Sequence, residues 1–140
     1  MAITQAMCSS FKHQILLAEH DMDTDTFKIA LYTSAATLDA STTVYTTSNE
    51  VAAGGGYTAG GNTLTGATVS LTGTTAFVDF SDTSWTTATI TARGALIYNS
   101  SKSNKAVAVL DFGSDKISTG GTFTIQFPTN DASNAIVRIA

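Results

Sequence analysis

Ala106-Val107-Ala108-Val109-Leu110-Asp111-Phe112 is the most apolar run in the chain, and its reading decides the fold. A short apolar run closed by turn residues has the length of a strand covered on both faces, so we read it as the central strand of a sheet. On its N-terminal side Asn99-Ser100-Ser101-Lys102-Ser103-Asn104 forms a strong turn. That turn leads back into Thr86–Tyr98, where Ile90 precedes the run Ala95-Leu96-Ile97-Tyr98. On its C-terminal side Gly120-Gly121 separates it from a further strand, Thr122–Phe127, in which Phe123, Ile125 and Phe127 share a face. Pro128 has no N–H for a ladder and ends that strand, and Ala135–Ala140 closes the chain as a last strand.

The same alternation runs upstream. Thr26–Thr33 sets Phe27, Ile29 and Leu31 against Lys28, Ala30 and Tyr32. Val44–Thr47 and Glu50–Ala53 are short and weak, and Gly54-Gly55-Gly56 with Gly60-Gly61 reads as a loop or a bent, bulged strand around Tyr57. Ala67–Thr72 and Thr75–Phe80 complete the set. About eight short strands, with turns every roughly 8 to 12 residues and no βαβ alternation, predict an antiparallel β-sandwich or jelly roll. No repeat or linker divides the chain, so residues 1–140 read as one domain: a helix over 2–20, then a sandwich over 26–140.

The helix rests on Ile3, Met7, Phe11 and Ile15, spaced by four, with Leu16 and Leu17 widening the stripe. Thr4 is its expected N-cap, and His20-Asp21-Met22-Asp23-Thr24-Asp25 its stop. If the sandwich closes its own core, this stripe has two outlets. It caps an open end of the same chain, or it forms an interface with a partner.

Composition narrows the function. Only 13% of residues are charged and 43% are hydrophobic, while 25 Thr and 14 Ser fill much of the remainder. Thr is β-branched, suits a pleated backbone and tolerates water, so its excess fits outward strand faces. A net charge of −4 without a Lys/Arg cluster excludes phosphate-driven nucleic-acid binding. No apolar run reaches the roughly 18 residues of a membrane span, and no secretion signal is read at the N-terminus, so synthesis in the cytoplasm is expected. Cys8 is the single cysteine, which excludes an intrachain disulfide and a Cys-based zinc site.

The chemical candidates are sparse. Asp21, Asp23 and Asp25 match the first half of a calcium loop, but Thr26 replaces the turn glycine and Tyr32 the closing glutamate, so a solvated acidic turn is the expectation. His13 and His20 lie seven apart, about 10 Å along a helix, too far to share one metal, and Cys8 is out of phase with His13. Asp79 with Asp82, or Asp111 with Asp115, are the carboxylate pairs that could flank a glycosidic bond, with Trp85, Tyr57 or Tyr98 as sugar platforms. The glycines of Gly54–Gly61 match no phosphate-binding pattern. A non-enzymatic chain without cofactor or metal is expected.

Six segments resemble a family of small tailed-phage virion proteins: MAITQAMCSSFKHQILLAEH (1–20), DTFKIALYTSAATL (25–38), YTAGG (57–61), ARGALIYN (92–99), AVAVLDFGSDK (106–116) and TFTIQFPTNDASNAIVRIA (122–140). Size and strand pattern make the chain similar to the jelly-roll cement, or decoration, proteins of short-tailed phages. That resemblance implies docking in many copies on the outside of the capsid shell, with the major capsid protein and a second copy of the chain as partners. It brings no catalytic or metal-binding residue; the unburied stripe Ile3, Met7, Phe11 and Ile15 is the first candidate for the partner-facing element. The competing readings are a tail, neck or fibre-attachment component, and a surface glycan-binding module.

Overall fold

The computed structural model describes residues 2–140, and it is mainly β. In chain order the elements are β1 (Ala6–Met7), α1 (Ser9–Leu16), β2 (Phe27–Tyr32), β3 (Asn62–Thr63), β4 (Thr68–Thr72), β5 (Thr75–Asp79), β6 (Thr83–Asn99), β7 (Lys105–Ile125) and β8 (Val137–Ile139). They form two antiparallel sheets, a larger one in the order β1-β7-β6-β2-β3 and a smaller one in the order β4-β5-β8. This is the antiparallel, sandwich-like architecture that the alternation predicts.

The larger sheet is built on the hairpin of β6 and β7, turned by Asn99–Asn104, where Ser103 and Asn104 adopt positive φ. The central run lies in it as expected, with Leu96 opposite Val109 and Ile97 opposite Ala108. The structure corrects one boundary: the strands expected at 106–112 and 122–127 are a single strand. Gly120-Gly121 does not interrupt it, because the pairing absorbs extra residues as bulges. One falls between Ala88 and Ile90, and in a larger one Phe112–Asp115 of β7 stand opposite Arg93 alone.

Burial along β6 changes halfway. From Trp85 to Ala92 the inward residues are Trp85, Ala88, Ile90 and Ala92, while Thr86, Thr87, Thr89 and Thr91 face water. From Gly94 to Asn99 every residue is buried, and so are Ile29–Tyr32 of β2 beside them. The threonines of this stretch are thus the solvent face of the hairpin's one-sided half, and they account for part of the chain's excess.

The helix is shorter than the stripe implies. It spans Ser9–Leu16, with Cys8 rather than Thr4 at its N-cap, and Ala18 in the left-handed region beyond its end. Upstream, Ala6 and Met7 pair with Val109 and Ala108 of β7, and Ile3 forms a bridge to Leu38. The β7 edge offers backbone partners that an isolated helix turn cannot match, and the chain pairs there instead of coiling. The spacing of four is therefore not one helical face. Ile3 and Phe11 are buried in the chain's own core, and Met7 and Ile15 are half-buried against it. Of the expected partner face, Ile3 and Phe11 are thus taken up inside the chain, while Met7 and Ile15 stay partly open. Ile3 packs where Gly94 leaves room, since a Cβ at Gly94 would fall 2.9 Å from two Ile3 carbons.

Between β2 and β3 the 33–61 connection crosses the larger sheet with isolated bridges only, among them Tyr32 to Glu50 and Val44 to Lys105. Its Gly-rich end docks on β6, where the Gly55 carbonyl accepts a 2.8 Å bond from Thr89 N–H. Gly61 is at φ +75, and a Cβ there would overlap the Ile29 carbonyl. Gly61→Ala is expected to cost about 3 kcal/mol from strain and displaced backbone, read as a lowered urea midpoint, whereas Gly73→Ala, in an open turn, should cost less than half as much.

Candidate functional site

One carboxylate organises the long connection. Glu50 is half-buried and accepts three bonds of 2.7 Å: from Tyr57 Oη and Gly60 N at Oε1, and from Tyr45 Oη at Oε2. Tyr57 Oη in turn accepts the Leu31 amide of β2 at 2.9 Å, and Leu31 C=O accepts Val51 N at 2.9 Å. Tyr98 stacks on Tyr45 with ring centres 4.6 Å apart and donates to Gly60 C=O, while Tyr32 donates to Thr46 C=O. Burial pushes the Tyr98 phenol up to about 12 and raises the Tyr32 and Tyr57 phenols as well, so all three remain protonated donors. The cluster is a latch that holds 44–61 on the sheet. Tyr45, Glu50 and Tyr57 lie close in sequence, yet only the fold shows that they converge.

A second cluster sits where α1 meets the hairpin turn. His20 is buried, lies 4.9 Å from the Phe11 ring centre, and bonds through both nitrogens: Nε2 to Gln14 Oε1 at 2.8 Å and Nδ1 to Asn99 Nδ2 at 3.0 Å. An amide nitrogen only donates, so Nδ1 must accept and the proton sits on Nε2, giving a neutral ring. Burial lowers the His20 pKa below its ordinary 6.5, with the Lys105 ammonium adding to the effect and Asp25 opposing it. Asn99 Nδ2 also reaches Asp25 Oδ2 at 2.8 Å.

The acidic turn is closed on itself. Asp21 Oδ1 accepts the amides of Asp23 and Thr24, and Asp25 Oδ2 accepts that of Asp21. Among the described residues no group of three metal-ligating side chains converges, here or elsewhere. The other carboxylates are engaged separately. Asp79 Oδ1 accepts Phe80 N, Asp82 Oδ1 accepts Phe127 N, Asp111 Oδ1 accepts Gly113 N, and Asp115 pairs with Arg93 at 2.9 Å. Asp79 is buried with Oδ2 unpartnered, and burial raises its pKa. The proposed sugar platforms are inside the protein: Trp85, Tyr57 and Tyr98 are each under 5% exposed. Cys8 is fully buried, and burial pushes its thiol up to about 11, away from nucleophilic use.

What the molecule leaves open is apolar surface and strand edge. A groove of about 670 Å³ runs between α1 and the smaller sheet, lined by Ile15, Val69, Val78, Val137 and Ile139. Val69, Leu71 and Ile139 are all more than half exposed beside it. A second groove, of about 620 Å³, follows β7 from Leu110 to Ile125 and continues past its end to Pro128. No helix among the described residues is long and apolar enough to cross a membrane. Compared with family models, curated proteins and solved structures, the chain finds no match.

Two outcomes are expected. Glu50→Ala leaves Tyr45, Tyr57 and Gly60 without their acceptor and should cost about 3 kcal/mol, with amide protection lost first over 44–61 in hydrogen exchange. For His20 the folded pKa lies below the unfolded one, so the unfolded chain binds the extra proton. Its contribution is complete above about pH 6.5 and declines as pH falls toward the folded value. The melting temperature should drop across that window, and His20→Gln should flatten the drop.

Proposed function

We propose that this chain is a non-enzymatic structural protein of a tailed-phage particle, a cement protein that binds the outside of the capsid shell in many copies and stabilises it. The observation that carries the reading is exposed apolar surface on a chain poor in charge: Val69, Leu71 and Ile139 beside the α1 groove, and Ile117 on β7. Lys and Glu are disfavoured at the core of an interface, and large side chains left in water on a small domain mark a contact surface. The quoted segment resemblance supplies the particle. The internal engagement of nearly every carboxylate, of both His20 nitrogens and of the aromatic rings supports a building block over a chemical or sugar-binding role.

The mechanism is clamping. A subunit that touches more than one capsid subunit raises the local concentration of each further contact, so modest contacts sum to a stable lattice. Binding only the assembled shell stabilises that shell by linkage. The partners are then the major capsid protein and further copies of this chain, with no nucleic acid or membrane engaged, and the protein resides on the virion exterior after synthesis in the bacterial host cytoplasm.

Quantitative mass spectrometry and density mapping of purified particles test this. Copies on the order of hundreds per particle, lying on the shell exterior, are expected, together with lower heat resistance of shells lacking the protein. About a dozen copies or fewer, located at the neck or tail, would overturn the capsid placement in favour of the tail reading.

A further inference from the structure

The contacts of His20 suit one protonation state only. Asn99 is held in place by two bonds that do not involve the ring: Nδ2 donates to Asp25 Oδ2 at 2.8 Å, and Oδ1 accepts the Ser101 amide at 3.0 Å. Turning the amide over would set Oδ1 against the Asp25 carboxylate and Nδ2 against the Ser101 N–H, so the side chain keeps this orientation. His20 Nδ1 therefore faces a donor, 3.0 Å away. A second proton on the ring would set N–H against N–H where water reaches neither, since His20 is 5% and Asn99 0% exposed.

The surroundings decide what gives way. From the hairpin, the ammonium groups of Lys105 and Lys102 oppose an imidazolium. From the ring's own segment Asp25 and Glu19 favour one, but Glu19 is paired with Lys105 at 2.6 Å and Asp25 with Asn99. From α1 the ring meets Phe11 and Gln14. Phe77, Val78 and Val137 of the smaller sheet line the same groove, and Asp21 and Asp23 on its rim are exposed. The hairpin side is fixed by Ser101 and Asp25, whereas Leu16, Leu17 and Ala18, which join the ring to α1, are exposed. The ring is thus the partner that moves. We propose that His20 is a proton-operated latch: neutral, it ties the end of α1 to the hairpin turn through Gln14 and Asn99, and once protonated it leaves Asn99, freeing Ile15–His20 and opening the α1 groove at that end. The latch needs only this chain and stands apart from the capsid reading.

NMR and hydrogen exchange on the full chain test it between about pH 7.5 and 5, where histidine titrates and ordinary carboxylates do not. At the upper end the ring nitrogen shifts should place the proton on Nε2. As pH falls, the Asn99 side-chain amide signals should move with the midpoint of the His20 ring. The Ile15–Glu19 amides should then exchange about fivefold or more faster than the change in pH alone dictates, while Leu96 and Val109, paired in the hairpin, stay protected. His20→Gln is neutral throughout and its carbonyl oxygen still accepts from Asn99, so the response should vanish. Asp79 is also buried, but burial raises its pKa, so acid relieves it; Asp79→Asn should keep the response. A ring that protonates while Asn99 and Ile15–Glu19 stay unchanged overturns the proposal, as does a ring still neutral at about pH 5. So does faster exchange spread evenly over β6 and β7, or a response that survives in folded His20→Gln or is lost in Asp79→Asn. Should His20→Gln not fold, the wild-type midpoints decide alone, different midpoints for the ring and for Asn99 counting against the latch.

Discussion

The antiparallel pairing of β6 with β7 is the constraint on which the remaining structure depends. A hairpin this long has two broad faces and two edges, and each must be covered or left to water. Near its turn, the stretch from Gly94 to Asn99 is buried on both sides, so something must lie on each face. β2 closes the β6 edge there, and Gly55 extends that closure through its bond to Thr89. The N-terminal segment, with Ile3 and Phe11, caps the core from another direction. Farther from the turn only one face is apolar, and the threonines take the other.

The two polar clusters follow from those coverings. An irregular connection as long as 33–61 has backbone groups that no ladder satisfies and an ordering entropy that no regular element repays. Glu50 and its tyrosines supply the directional bonds that fix it to β2. Asn99, at the hairpin's end, ties the turn to His20 and Asp25 and so anchors the helix. Glu50, His20 and Asn99 hold distant parts of the chain together through these bonds. The β7 edge and the apolar face of β4 and β8 are left open, and both suit a neighbouring chain.

Much of this was legible in advance. Strands β2, β4, β5 and β8 fall within the stretches that the sequence marks as strands, although β2 is buried on both faces over Ile29–Tyr32 and β4 is largely exposed on both. The spacing overstates the helix because Ile3, Met7, Phe11 and Ile15 keep a separation of four whether or not the backbone coils. The contacts that bury them, to Leu38 and β7, are distant in sequence. Gly120-Gly121 read as a break because glycine marks both turns and bulges, and only the facing β6 register distinguishes them. Asn99 looked like one turn residue among several. Its partner Asp25 lies 74 positions away, and no local pattern announces such a pair. Glu50 had Tyr45 and Tyr57 near it, but two tyrosines flanking a glutamate in a weak stretch carry no pattern of their own.

The hairpin is asymmetric, closed along β6 and open along β7. Residue-resolved hydrogen exchange over Ser114–Thr124, at dilutions where the chain is monomeric, tests it most directly. Amides bonded to β6 should exchange slowly, while those directed to the outer edge exchange at nearly the unfolded rate. Equal, strong protection of both sets in the monomer would show that the chain itself covers the edge. Equally rapid exchange of both would show that the hairpin does not extend that far; either result rules out an edge left open by a fully formed hairpin.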